Sequence, residues 1–90
     1  MSGSSRLTFR GITRGIFNRL RKSALRKGII VSSPAGEAVK DGVKIQWNYD
    51  PSSELLEVEC IQAPFWIDSA RISKDLQSEI EEVLGSSRAA

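Results

Sequence analysis

An alternation of apolar and polar residues over positions 43–61 constrains the fold of this chain more than any other feature. The apolar positions of this alternation are Val43, Ile45, Trp47, Tyr49, Leu56, Val58 and Cys60. A period of two is typical of half-buried strands. The segment DPSS at 50–53 separates the two runs, and its proline and aspartate favour a tight turn. The sequence therefore predicts a β-hairpin over residues 43–67, with Lys44 near Glu57 or Glu59 on its polar face.

The segment before the hairpin has the spacing of an amphipathic helix. Its apolar residues recur three and four positions apart, which places them on one helical face: Phe9, Ile12, Ile16, Leu20 and Ala24. We expect a helix over residues 7–27, with Thr8 as its N-cap and Gly28 as its C-cap. Gly11 and Gly15 lie inside this range and each costs roughly 1 kcal/mol relative to alanine. A helix that starts only after Gly15 is the alternative.

A second helix is predicted after the hairpin, over residues 69–84. Asp68 or Ser69 can cap its start, and Gly85 is placed to end it. Its apolar stripe consists of Ile72, Leu76, Ile80 and Val83 or Leu84. Carboxylates dominate the other side, and the spacing of Glu79, Glu81 and Glu82 directs them around a solvated helix surface.

The fold class predicted from these elements is α+β. An N-terminal amphipathic helix and a C-terminal helix pack on one face of a β-hairpin or small antiparallel sheet. Residues 29–31 are predicted as a brief strand, and the Ser-, Pro- and Gly-rich residues 32–42 as a loop. Ninety residues suffice for a single domain. We place this domain at residues 6–85, between disordered tails at 1–5 and 86–90.

Charge is distributed unevenly along the chain. Residues 1–44 contain ten Arg or Lys and two acids, whereas residues 45–90 contain three Arg or Lys and nine acids. A basic segment of this kind is a candidate site for an anionic partner. The candidate residues are Arg10, Arg14, Arg19, Arg21, Lys22, Arg26 and Lys27. The alternative interpretation is that they form the solvated face of a helix packed on the core.

Three consecutive large apolar residues, Phe65, Trp66 and Ile67, follow Pro64. They cannot all lie on one face of a strand, so at least one is expected at the surface or in an interface. Aromatic residues dominate the energetics of protein interfaces. Phe65, Trp66 and Ile67 are therefore the candidate interface residues.

The composition gives little support to an enzyme. The chain has no histidine, which excludes Ser-His-Asp and Cys-His catalysis. Its single cysteine, Cys60, falls on the apolar face of the hairpin and is expected to be a buried structural thiol. No phosphate-binding glycine motif or calcium loop occurs. We therefore expect no catalytic residues, no metal site and no cofactor.

The function predicted from the sequence is a small non-enzymatic interaction or assembly module. It either self-associates as a homo-oligomer or joins a larger complex, because so small a core leaves little margin of stability. Nucleic-acid binding through the basic helix and attachment of that helix to a membrane surface are the alternatives. The sequence has no apolar run of transmembrane length. The lone cysteine suggests a reducing compartment such as the cytoplasm, although residues 1–28 also resemble an organellar targeting segment.

Overall fold

The protein, described by a computed structural model over residues 6–89, is a two-layer α+β domain. Its elements follow the order β1 (Arg6–Phe9), α1 (Arg14–Arg26), β2 (Ala35–Lys40), β3 (Val43–Asp50), β4 (Leu55–Gln62) and α2 (Ser69–Ala89). The strands form one antiparallel sheet in the order β1-β4-β3-β2. The predicted class is confirmed, with both helices on one face of a sheet that is larger than a hairpin. The tail predicted at 1–5 and Ala90 lie outside the described residues.

The central hairpin is confirmed. In the β3–β4 register Trp47 lies opposite Val58 and Tyr49 opposite Leu56, so the apolar positions of the two strands share the inner face. The prediction for Lys44 is wrong. The register places Glu59 opposite Gln46 and Glu57 opposite Asn48, and after an irregularity between Lys44 and Ile45, Lys44 lies opposite Gln62. Its Nζ pairs instead with Oε1 of Glu37 on β2, at 3.4 Å.

The first predicted helix is too long. Its N-terminal part forms β1, which pairs with β4, and α1 begins only after Thr13. Gly11 has a φ of +75°, which a helix cannot contain. The Thr13 side chain accepts a hydrogen bond from the Ile16 amide at 3.2 Å, so Thr13 is the N-cap in place of Thr8. Gly28 follows the last turn with a φ of +83°, as predicted.

The segment predicted as a loop contains an edge strand, and the brief strand predicted before it is absent. Residues 29–31 have no strand assignment. β2 turns into β3 through Asp41 and Gly42, whose φ angles are +53° and +80°. Positive φ at both central residues is the geometry of a type I′ hairpin, for which Asp-Gly is a strong sequence signal. The Ser- and Pro-rich composition around it obscured that signal.

The second helix is confirmed but ends later than predicted. Asp68 caps it, because its Oδ1 accepts a hydrogen bond from the Ala70 amide at 3.0 Å. The helix continues through Gly85 to Ala89, into the segment predicted as a tail. A glycine ends a helix by taking a positive φ, and Gly85 does not take one.

The core lies between the helices and the inner face of the sheet. Its buried hydrophobic side chains are Phe9, Ile12, Phe17, Trp47, Tyr49, Leu56, Val58, Ile80 and Leu84. Phe17 of α1 stacks on Tyr49, with ring centroids 4.3 Å apart. The Tyr49 hydroxyl donates to the Ile12 carbonyl at 2.6 Å and so fixes the connection between β1 and α1. The opposite face of the sheet is polar, and on it Arg6 pairs with Glu57 and Glu59.

Candidate functional site

The loop between β4 and α2, residues 63–68, displays two large aromatic side chains to solvent. Phe65 is 96% exposed and Trp66 is 71% exposed. Their rings meet edge to face with centroids 5.1 Å apart, the arrangement that aromatic pairs favour. A phenyl ring that is exposed to this extent makes little contact within its own fold. Exposed apolar patches mark interaction sites. We call Phe65 and Trp66 the aromatic pair.

Both ends of this loop are fastened. The Ile67 amide donates to the Pro64 carbonyl at 3.0 Å, which closes a turn around the aromatic pair. Pro64 lies against Gly42, so close that a Cβ added to Gly42 would be 2.9 Å from Cγ of Pro64. Asp68 caps α2 on the other side. Ile67, the third predicted interface residue, is half-buried and belongs to this support.

The basic residues predicted as an anion site have different neighbours in the fold. Lys27 pairs with Glu79 of α2 (Nζ to Oε1, 2.8 Å), and this ion pair and hydrogen bond raise the pKa of Lys27. Nε of Arg21 donates to the Val31 carbonyl at 2.8 Å. Arg10 lies in the connection from β1 to α1, and Arg14 is the first residue of the helix.

The remaining three predicted cations line a groove between the helices. Arg19, Lys22 and Arg26 flank one side of this groove, and Glu79 and Glu82 flank the other. The acidic second half of the chain therefore lies against the basic first half within one molecule. Carboxylates within the groove oppose the approach of a polyanion, because like charges repel.

The structure also contains a feature that no sequence pattern indicated, an apolar cleft between α1, α2 and the inner face of the sheet. Its volume is about 130 Å³. Buried side chains such as Phe17, Trp47 and Ile80 form its floor. Half-buried apolar side chains form its walls, among them Leu20, Ala24, Val31, Ile45 and Leu76. Arg21 and Lys27 are the exposed residues of its lining and stand at its mouth.

Cys60 carries the single thiol of the chain. Cys60 is buried, and burial raises the pKa of its thiol, which keeps it protonated. Over residues 6–89, no three Cys, Asp or Glu side chains come together as metal ligands would. Neither helix in that range has the length and apolar composition needed to cross a membrane.

No protein family, curated protein or solved structure shows significant similarity to this chain.

Proposed function

We propose that this chain is a small non-enzymatic interaction module that binds protein, either a second copy or a subunit of a larger assembly, through the aromatic pair. The observation that carries the proposal is the 96% exposure of Phe65 beside a 71% exposed Trp66. Aromatic side chains with few rotatable bonds are the usual anchors of interfaces, since they bury a large area at low entropic cost.

The setting of the pair supports this role. The packing of Pro64 against Gly42 and the Asp68 cap hold the two ends of the loop, so the backbone that carries the rings is ordered before binding. A preorganised contact loses less conformational entropy when the complex forms. A buried thiol and a chain without histidine fit a binding role better than a catalytic one. The lone reduced cysteine fits a cytoplasmic or other reducing compartment.

The two alternatives from the sequence have less support. A polyanion would meet Glu79 and Glu82 in the same groove as three of the candidate cations. Attachment to a membrane surface would need the apolar stripe of α1, but Phe17 is buried and Leu20 and Ala24 face the cleft. A gel shift at low salt and flotation with anionic vesicles test these alternatives.

Site-specific photocrosslinking tests the proposed function. A photoreactive phenylalanine analogue replaces Phe65 in the full chain, and in a matched control it replaces Val39, which is 66% exposed on edge strand β2. We expect discrete protein adducts, identified by mass spectrometry, from position 65 and not from position 39. Equal or absent labelling at the two positions would refute the proposal.

A further inference from the structure

We infer that the partner is a second copy of this chain, and that the phenyl ring of Phe65 from each copy enters the apolar cleft of the other. This inference rests on the proposed function and assigns it an acceptor site. The chain carries both halves of the contact: an aromatic ring that its own fold leaves in water, and an apolar cleft that its own side chains leave unfilled.

The dimensions favour Phe65 as the inserted residue. An apolar cavity of roughly 150 Å³ accommodates benzene, and the cleft measures about 130 Å³. The cleft is close to this size, so it suits a single six-membered ring better than the larger indole of Trp66. The edge-to-face contact with Phe65 holds Trp66 beside the inserted ring, so the indole comes to lie over the mouth of the cleft.

Charge at the mouth of the cleft complements the indole. Arg21 and Lys27 are the exposed cations there, and Glu79, which also lines the cleft, already pairs with Lys27. A cation near the face of a Trp ring is attracted by its quadrupole. The guanidinium of Arg21 is therefore the cation that the partner's Trp66 contacts at the point where it closes the cleft.

The buried area favours a reciprocal contact over a one-way contact. An aromatic side chain buries roughly 200 Å², so four of them in a two-fold exchange bury about 800 Å². These four side chains alone supply about two thirds of the ~1,200 Å² that a specific interface buries. A one-way contact reaches only half of this area. It also joins molecules head to tail into an open assembly, which leaves one aromatic pair exposed at one end and one cleft empty at the other.

The test is sedimentation equilibrium of the full chain over a range of concentrations with three variants. Phe65→Ser removes the inserted ring, Ala24→Leu fills the cleft from α1, and Val39→Ser is the matched control. We expect the wild type and Val39→Ser to dimerise equally, and each of the other two variants to weaken dimerisation at least tenfold.

A mixture of the Phe65→Ser and Ala24→Leu variants is the decisive experiment. A heterodimer of Phe65→Ser and Ala24→Leu keeps one complete contact. The Ala24→Leu copy still has Phe65, and that ring enters the open cleft of the Phe65→Ser copy. The mixture is therefore expected to associate more tightly than either variant alone. Circular dichroism checks folding, and if Ala24→Leu does not fold, Leu76→Phe fills the cleft from α2 instead.

The outcomes separate the two proposals. If a folded cleft-filled variant dimerises like the wild type while Phe65→Ser does not, the acceptor site is wrong and the proposed function stands. A wild type that is monomeric at all concentrations also overturns the inference, and crosslinks from position 65 to another protein then keep the proposed function. If neither dimerisation nor crosslinking involves position 65, both proposals fail.

Discussion

Removal of the Tyr49 hydroxyl is the sharpest test of how the core is held together. The hydroxyl donates to the carbonyl of Ile12, a residue with no exposed surface, at 2.6 Å. Tyr49→Phe keeps the ring that stacks on Phe17 but leaves this carbonyl without its partner. Losing such a bond and leaving a buried group unpaired costs about 1–3 kcal/mol. We expect this loss in the free energy of unfolding.

Urea denaturation followed by circular dichroism measures the effect. For a domain of this size the dependence on urea is about 1 kcal/mol per M, so the midpoint should fall by roughly 1 M or more with an unchanged slope. A loss below about 0.5 kcal/mol would show that the hydroxyl does not fasten the β1–α1 connection, since that is the lower limit for a net hydrogen bond.

The pH dependence gives the same test a second readout. Burial, then the nearby charge of Glu54, raises the pKa of Tyr49 above its ordinary value of 10.0, whereas Arg14 lowers it. The folded state therefore holds the phenolic proton more tightly than the unfolded chain. This contribution is complete below pH 10 and is lost as the pH rises through the folded pKa. The wild type should lose its advantage over Tyr49→Phe above pH 10, and a constant difference would contradict the assignment.

Three further perturbations test other parts of the fold. Thr13→Ala removes the cap that accepts from the Ile16 amide and should lower the free energy of unfolding by about 0.5–2 kcal/mol, measured by urea denaturation; Thr13→Ser should restore most of it. Gly42→Ala places a Cβ 2.9 Å from Pro64 at a φ of +80°, so thermal unfolding should occur at a lower temperature, and an unchanged midpoint would contradict the tight turn. Cys60 should react with a thiol reagent far more slowly in the folded chain than in 6 M urea, because it is buried with a raised pKa; equal rates would count against that burial.

The sequence predicts the aromatic pair of the proposed contact but not the apolar cleft. Phe65 and Trp66 could be identified because three large apolar residues in succession exceed what one face of a strand can bury. The cleft could not be identified, since it is an unfilled space between three elements and depends on how closely α1 and α2 approach the sheet. Periodicity shows which side of a helix is apolar. It does not show how completely the side chains of the sheet and of the other helix fill the space beside that apolar side.

The sequence by itself determined the central hairpin, the second helix and the α+β class, because these depend on local periodicity and on turn and cap chemistry. It did not determine the N-terminal boundary of α1. There, pairing of Arg6–Phe9 with β4 competes with helix formation, and only the tertiary structure supplies the partner strand.

The fate of the basic charges was also decided by tertiary structure. Residues 10–28 look uniform in sequence, but the packing of α2 beside α1 brings Glu79 to Lys27, whereas Arg21 binds the carbonyl of Val31. A charge acts through the groups that surround it in space, and residues 52 positions apart in the chain become neighbours only when the helices pack. The sequence therefore determined which residues are charged or apolar, and the fold decided which of them meet a partner within the chain and which, like Phe65, remain exposed.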